Sequence, residues 1–223
     1  HDYHSMYQNR KLYIESINNL IFSFAQKPIN YYLDAGGGDG VRATVISKKL
    51  DAKHTVLIDS SQCMIDLVKS KNFENVSCIK IADFKYNHKF NLVTCLWNVV
   101  GHIQSRKERL ASLVNLKNHL SDDGLLIIDV NNRYNNNYGI INIIKNILKD
   151  LFPYKSKKNG WFNFEYKKKS FPVYLHSPFE ILRDLKRIGF RDIKSFAVDY
   201  NNGNVYKNLF FGQILIIAKT GKN

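Results

Sequence analysis

Cysteine is scarce. There are three, Cys63, Cys78 and Cys95, and no two of them form a CxxC pair. An odd count without paired spacing excludes a disulfide framework and a zinc site as organising devices, so no metal is expected. The thiols read as small buried residues in a reducing compartment, and a cytoplasmic location is expected. Long apolar runs are missing too. The longest, around "ILIIA", falls far short of the ~20 residues that cross a bilayer, so no membrane partner is expected. No signal-peptide pattern opens the chain, and no internal repeat or low-complexity tract interrupts it. Acidic residues are few: 19 against 33 Lys and Arg, a net charge of +14. That balance suits nucleic acid, a membrane surface or an anionic substrate. Its alternative is the lysine- and asparagine-rich composition that an AT-rich genome produces. What is present is otherwise ordinary. The 223 residues suit one large domain, or one domain with an insertion, that buries its core without staples.

Hydrophobic periodicity alternates along the chain. Residues 1–30 read as helix, with Ile14, Ile17, Leu20, Ile21 and Phe24 at helical spacing and Pro28 ending it. Strand 31–34, helix 40–50 with Val41, Val45 and Ile46 on one side, and strand 54–58 follow. Helix 62–71 carries Met64, Ile65 and Val68, and strands at 76–81 and 90–96 come next. Ser105 and Glu108 have capping-box spacing before a helix over 106–120. "SDDG", 121–124, reads as a turn into strand 125–130. Ser177, Pro178 and Glu180 open a last helix that Gly189 caps. Strands near 191–200 and 209–219 are joined by the turn chemistry of "NNGN", 201–204. This order predicts an α/β, Rossmann-like, doubly wound sheet, mostly parallel, with seven strands and an antiparallel last strand. Residues 131–175 break the alternation and are too long for a plain loop. They hold an amphipathic helix (Ile140, Ile143, Ile144, Ile147, Leu148, Leu151) and two strand-like runs around "KKKS". The expected organisation is an N-terminal helical segment, 1–30, a core of 31–130 and 176–223, and an α/β insertion, 131–175.

The first strand runs into "LDAGGGDG", residues 33–40. Ligands bind at the carboxyl ends of strands in such sheets. Glycine admits positive φ and a close approach to the backbone, and the following helix offers free N–H groups. The loop therefore suits an anionic or carboxylate-bearing cofactor, with a tight ligand-free turn as the alternative. A nicotinamide fingerprint would place glycine where Val41 stands.

The spacing Asp34-x-Gly36-x-Gly38-x-Gly40, together with three motifs farther along the chain, resembles the class I S-adenosylmethionine-dependent methyltransferases. "LDAGGGDG" looks like their first motif, and Asp59 in "VLIDSSQCMI" like the acid they use on the ribose hydroxyls. Asp83 and Phe84 in "KIADF" look like the pair that reads the adenine. "FNLVTCLWNVVGHI", 90–103, looks like the fourth motif, whose strand end faces the reactive methyl. The resemblance covers about 30–130 and 177–219. It implies S-adenosyl-L-methionine as cofactor and S-adenosyl-L-homocysteine as product. It implies Asp34, Gly36, Gly38, Gly40, Asp59, Ser60, Met64, Asp83, Phe84, Leu96 and Trp97 around the cofactor. In related enzymes an N-terminal helix folds over the cofactor, which would bring Tyr7 or Tyr13 to its methionine end; the alternative is simple packing on the sheet edge.

Methyl transfer is an in-line displacement, and a base is needed only for an acceptor that arrives protonated. The candidate bases are His102, in "NVVGHI", His176 and tyrosines near the insertion, with a helix-capping or buried, satisfied histidine as the alternative for His102. Asn98, Asn131, Tyr134, Trp161, Phe164 and His176 are candidates to line the acceptor. Asn98 is not followed by the Pro-Pro-Tyr of methylases acting on amino groups of adenine or glutamine. The insertion is the expected specificity element. From 133 to 175 nine Lys or Arg face only Asp150 and Glu165, a net of +7, among interleaved aromatics. That suits an anionic small molecule or peptide, the preferred acceptor. It also suits RNA, although no recognised RNA module is present. A catalytically silent cofactor-binding partner protein is a third reading.

Overall fold

In the computed structural model of the chain, the residues described are 9–69, 73, 75–151, 159–166 and 169–220. Helix α1, Lys11–Phe24, precedes β1, Tyr31–Ala35, and α2, Val41–Leu50. Then come β2, His54–Asp59, α3, Gln62–Lys69, and β3, Asn75–Cys78. A 3-10 turn at Ile81–Asp83 leads to β4, Phe90–Cys95. The short α4, Val99–His102, is followed by α5, Arg106–Asn118, and β5, Leu120–Val130. Helix α6, Ile140–Leu151, and the hairpin β6, Trp161–Tyr166, and β7, Lys169–Tyr174, form the segment between β5 and α7, Pro178–Ile188. The chain closes with β8, Phe190–Val198, β9, Val205–Tyr206, and β10, Gln213–Thr220.

The main sheet runs β3-β2-β1-β4-β5-β10-β8-β9. Strands β1 to β5 pair in parallel, and β10 is antiparallel to both β5 and β8. The sheet has eight strands where seven were expected. The extra one is the two-residue β9. The "NNGN" turn returns the chain onto β8 at β9 and does not reach β10 directly. Two cores lie on opposite faces. One joins the sheet to α5 and α7 through Leu113, Leu116, Ile181 and Leu185. The other joins it to α1, α2 and α3 through Ile14, Ile17, Ile21, Ile46, Leu50, Ile65 and Val68. Each such side chain contributes about 1.5–3 kcal/mol by leaving water.

Both capping boxes form on the N-cap side. Ser105 Oγ accepts from Glu108 N and Ser177 Oγ from Glu180 N. Several boundaries differ from the sequence reading. Strand 76–81 shrinks to Asn75–Cys78, because the chain turns at Ile81–Asp83 and Asn115 Nδ2 donates to Ile81 O and Phe84 O there. "SDDG" lies inside β5 as a bulge: Phe90 pairs with Leu120 and Leu92 with Leu125. Val41 and Val45 are exposed, and Ala43, Ile46 and Leu50 form the buried face of α2. Of the thiols only Cys95 is buried, and all three are free.

The segment after β5 is held by side chains. Asn132 is fully buried and donates to Leu209 O and Gly212 O. Arg133, also buried, meets Asp150 at 3.0 Å and Glu180 at 2.9 Å. Strand β7 packs on α4, so the hairpin sits over the carboxyl end of β4.

Candidate active site

Strand β1 brings Asp34 to the sheet's carboxyl edge. The loop then folds on β2, with Gly36 N and Gly37 N both donating to Ile58 O. Gly36, Gly38 and Gly40 have φ of 76°, 57° and 72°. A Cβ on Gly36 would lie 2.6 Å from Val99, and one on Gly37 would lie 2.8 Å from Asp34 Oδ2. Both conformation and crowding exclude side chains here. Asp59, at the end of β2, accepts from Gly38 N at 3.0 Å and from Ser61 N at 2.8 Å. Each oxygen keeps a lone pair, enough for a cis-diol as well.

Asp34, Gly36, Gly37, Asp39, Arg42, Leu96 and Trp97 line a narrow cleft of about 30 Å³. Asp34 is buried and accepts from Thr94 Oγ1 at 2.6 Å. Burial lifts its carboxyl to about 6, against the pull of Thr94 and Arg42. Arg42, in the first turn of α2, donates its Nε to Asn18 Oδ1 of α1 at 3.0 Å. Its Nη1 and Nη2 are buried without a hydrogen-bond partner among the described residues. An unpaired buried guanidinium is costly, and an anion in the cleft would relieve it. The sequence reading passed over Arg42. Its signal was position: two residues beyond the last glycine, with the apolar Ile46 and no acid one turn on.

Strand β4 ends in a strained turn. Trp97 and Asn98 have φ of 69° and 57°, a region that disfavours side chains. Asp129, at the end of β5, holds the turn by accepting from Asn98 N at 2.7 Å. Asn131 N donates to Asn98 Oδ1 at 2.9 Å, while Asn98 Nδ2 is buried without a partner among the described residues. Asp129 was also missed, although it ends an apolar strand as Asp34 and Asp59 do. Burial raises its pKa.

The other sequence candidates divide. Leu96 is buried and Trp97 half-buried at the cleft. Met64 is half-buried on α3, and Ser60 and Asp83 are exposed at strand and turn ends. Phe84 is a correction. It is 4 % exposed and packs in the core on Phe90 and His119, so no ring face is left for an adenine. Tyr13 takes the packing alternative: it is 1 % exposed and donates to Asp129 Oδ2 at 3.0 Å, which braces the strained turn. Tyr7 lies outside the described residues. Tyr134 is buried, donates to Asp150 and packs between Phe179 and Phe210, so it is a packing residue and not an acceptor-lining one. Its hydroxyl is pushed up to about 12, chiefly by burial. Trp161 faces Arg109 and Tyr174, with the Arg109 guanidinium 3.9 Å from the Tyr174 ring centre. Phe164 stands on the opposite hairpin face, half-exposed with Phe162 and Phe171. His102 is exposed at the end of α4, with its pKa lowered by partial burial. His176 is buried, its backbone N–H donating to Asn131 O and its ring Nδ1 unpartnered among the described residues. Burial, then Arg109, Arg133 and Arg106, hold its imidazole neutral. Among the described residues no group of His, Cys, Asp or Glu could hold a metal ion.

A family model described as a methyltransferase domain matches residues 6–195. The chain belongs to the methyltransferase-domain family. No curated protein matches it. Among solved structures, the methyltransferase is similar to an S-adenosylmethionine-dependent methyltransferase from Clostridium acetobutylicum, with a TM-score of 0.66 and 19 % identity over 96 % of this chain and 92 % of that one. A Methanosarcina mazei S-adenosylmethionine-dependent methyltransferase gives 0.68 and 17 %, over 91 % and 98 %. CalS10 of Micromonospora echinaspora, an amino pentose methyltransferase solved with S-adenosylmethionine, gives 0.65 and 13 %, over 99 % and 97 %. The sheet of this methyltransferase is thus the class I architecture of the S-adenosylmethionine-dependent enzymes. No helix among its described residues is long and apolar enough to cross a membrane.

Proposed function

We propose that this methyltransferase moves the methyl group of S-adenosyl-L-methionine to an oxygen or nitrogen of a small-molecule or peptide acceptor. The observation that carries the cofactor assignment is Nη1 and Nη2 of Arg42, buried without a hydrogen-bond partner among the described residues, beside Asp34 and the glycine loop. A ligand bearing both a carboxylate and an ammonium suits that pair of opposite charges. In this reading Arg42 receives the carboxylate and Asp34 the ammonium. Asp59 receives the ribose hydroxyls, with Ser60 and Met64 beside it, and Asp83 the adenine amine. Leu96 and Trp97 border the reacting end. The bound cofactor supplies an already activated methyl on a sulfonium. The chain's own work is alignment and exclusion of water.

The hairpin β6–β7 serves as a lid over the end of β4. What supports an enclosed acceptor is the anchoring of that lid through Trp161, Tyr174 and Arg109, with Asn98 and Asn131 below it. For an acceptor that arrives protonated, His102 takes the proton, because its imidazole is neutral at pH 7. His102→Gln then lowers kcat by about 10²–10⁴ and leaves cofactor affinity alone. The competing acceptor is RNA, bound through the lysines of the segment. Lys167 and Lys168 lie outside the described residues. Methyl incorporation from labelled cofactor is measured against total RNA and against pools of small metabolites and peptides. The expected result is incorporation into the second set, reduced by Trp161→Ala. Salt-sensitive RNA methylation, lost on replacing Lys167, Lys168 and Lys169 with Gln, would contradict it.

A further inference from the structure

Among the described residues, helix α6 leaves most of its apolar stripe exposed. Successive helical residues are about 100° apart, which groups Ile140, Leu151, Ile144, Leu148 and Ile141 on one arc. All five are more than half exposed, from 51 % at Leu148 to 73 % at Ile140. The helix is instead fixed by its neighbouring edge. Asn146 Nδ2 donates to Arg133 O at 3.1 Å, Asp150 pairs with Arg133 and Tyr134, and only Ile143 is buried. On the other side of the arc stand Lys145 and Lys149, both exposed. Five aliphatic side chains left in water forgo several kilocalories per mole of burial, so a covering surface would be strongly favoured.

Charge indicates which surface. The chain carries a net +14, and on α6 Lys145 and Lys149 stand against only Asp150, which Arg133 already pairs, so a second copy brings like charge to the same face. RNA offers the right charge but no hydrocarbon for isoleucine and leucine, which lack the flat faces on which bases stack. An anionic lipid surface offers both. A further exposed aromatic with basic neighbours stands at the start of α7. Tyr134, bonded to Asp150 of α6, has its ring 6.2 Å from that of Phe179, which is 66 % exposed at the start of α7. Phe179, Leu182, Arg183, Lys186 and Arg187 line an open groove of about 520 Å³.

We propose that α6 is an interfacial helix. It lies in the headgroup region of an anionic bilayer, inserts Ile140, Ile141, Ile144, Leu148 and Leu151, and sets Lys145 and Lys149 against lipid phosphates. Such a helix rests on a membrane and does not cross it. The arrangement is independent of methyl transfer, so either claim can fail without the other.

The test is vesicle flotation of the full chain, with vesicles of phosphatidylcholine alone or with phosphatidylserine added, at low and high salt. The expected result is at least tenfold stronger binding to the anionic vesicles at low salt. Ile144→Gln with Leu148→Gln abolishes it. Lys145→Gln with Lys149→Gln lowers it about 25-fold, since each basic residue at such a surface is worth about fivefold. These substitutions are at exposed positions, so melting temperature and S-adenosylhomocysteine binding stay unchanged and show that the variants fold. Absence of anionic-vesicle binding overturns the proposal. So does a dimer in sedimentation that the Ile144 and Leu148 substitutions dissolve, which would make the cover a second copy. RNA binding that those two substitutions abolish, without vesicle binding, overturns it equally.

Discussion

Asp34 carries its charge in the folded apoprotein at a cost. Burial moves its pKa from 3.8 to about 6. Between those values the folded chain binds more protons than the unfolded one. The stability this group adds is fully present below about pH 4 and is lost as pH rises through 6, a difference of about 3 kcal/mol. Asp34→Asn should therefore flatten the fall in stability between pH 4 and 7, measured by urea unfolding. An unchanged pH profile would contradict the buried titration. In the proposed function the ammonium of the ligand meets Asp34 ionised. Calorimetry with S-adenosylhomocysteine should then show affinity falling below pH 6 by up to tenfold per unit, and a flat profile would separate Asp34 from the ligand. Arg42 gives a companion prediction. Arg42→Gln should weaken cofactor binding about tenfold to a hundredfold, the worth of charge-assisted hydrogen bonds. Equal affinity in the variant would mean that the guanidinium faces no ligand.

Elements are where strain and bracing meet. The turn after β4 places Trp97 and Asn98 at positive φ, a cost of about 1–3 kcal/mol each that surrounding contacts must offset. Asp129 on β5 and Tyr13 on α1 supply them. Helix α1 thus acts on the site through Asp129. Tyr13→Phe should cost about 1–2 kcal/mol in chemical denaturation, by leaving a buried carboxylate oxygen short of a donor. Cofactor affinity should change less than threefold, since no contact to the ligand is removed. A large loss of affinity without loss of stability would restore Tyr13 as a ligand contact. Truncation of 1–13 is a poor test of the same point, because it removes a buried core residue.

At the scale of the whole molecule, the alternation of strand and helix was legible because each apolar run is bounded by turn or capping chemistry. The glycine loop and Asp59 were legible because few other roles place such residues at strand ends. Phe84 and Tyr134 were misread because an aromatic beside a motif looks the same whether it faces a ligand or a core. Arg42 and Asp129 were missed because their partners come from α1, β1 and β4, far away in sequence. Asn132 and Asn135 went unremarked in a lysine- and asparagine-rich chain, yet Asn132 donates to Leu209 O and Asn135 Oδ1 accepts from Asn137 N. The central claim is the methyl-donor site. Calorimetry of the wild type and Asp59→Ala with S-adenosylmethionine, S-adenosylhomocysteine and NAD tests it most directly. Binding of the first two, weakened in the variant, and none of NAD is expected. Tight NAD binding with no response to S-adenosylhomocysteine would contradict it.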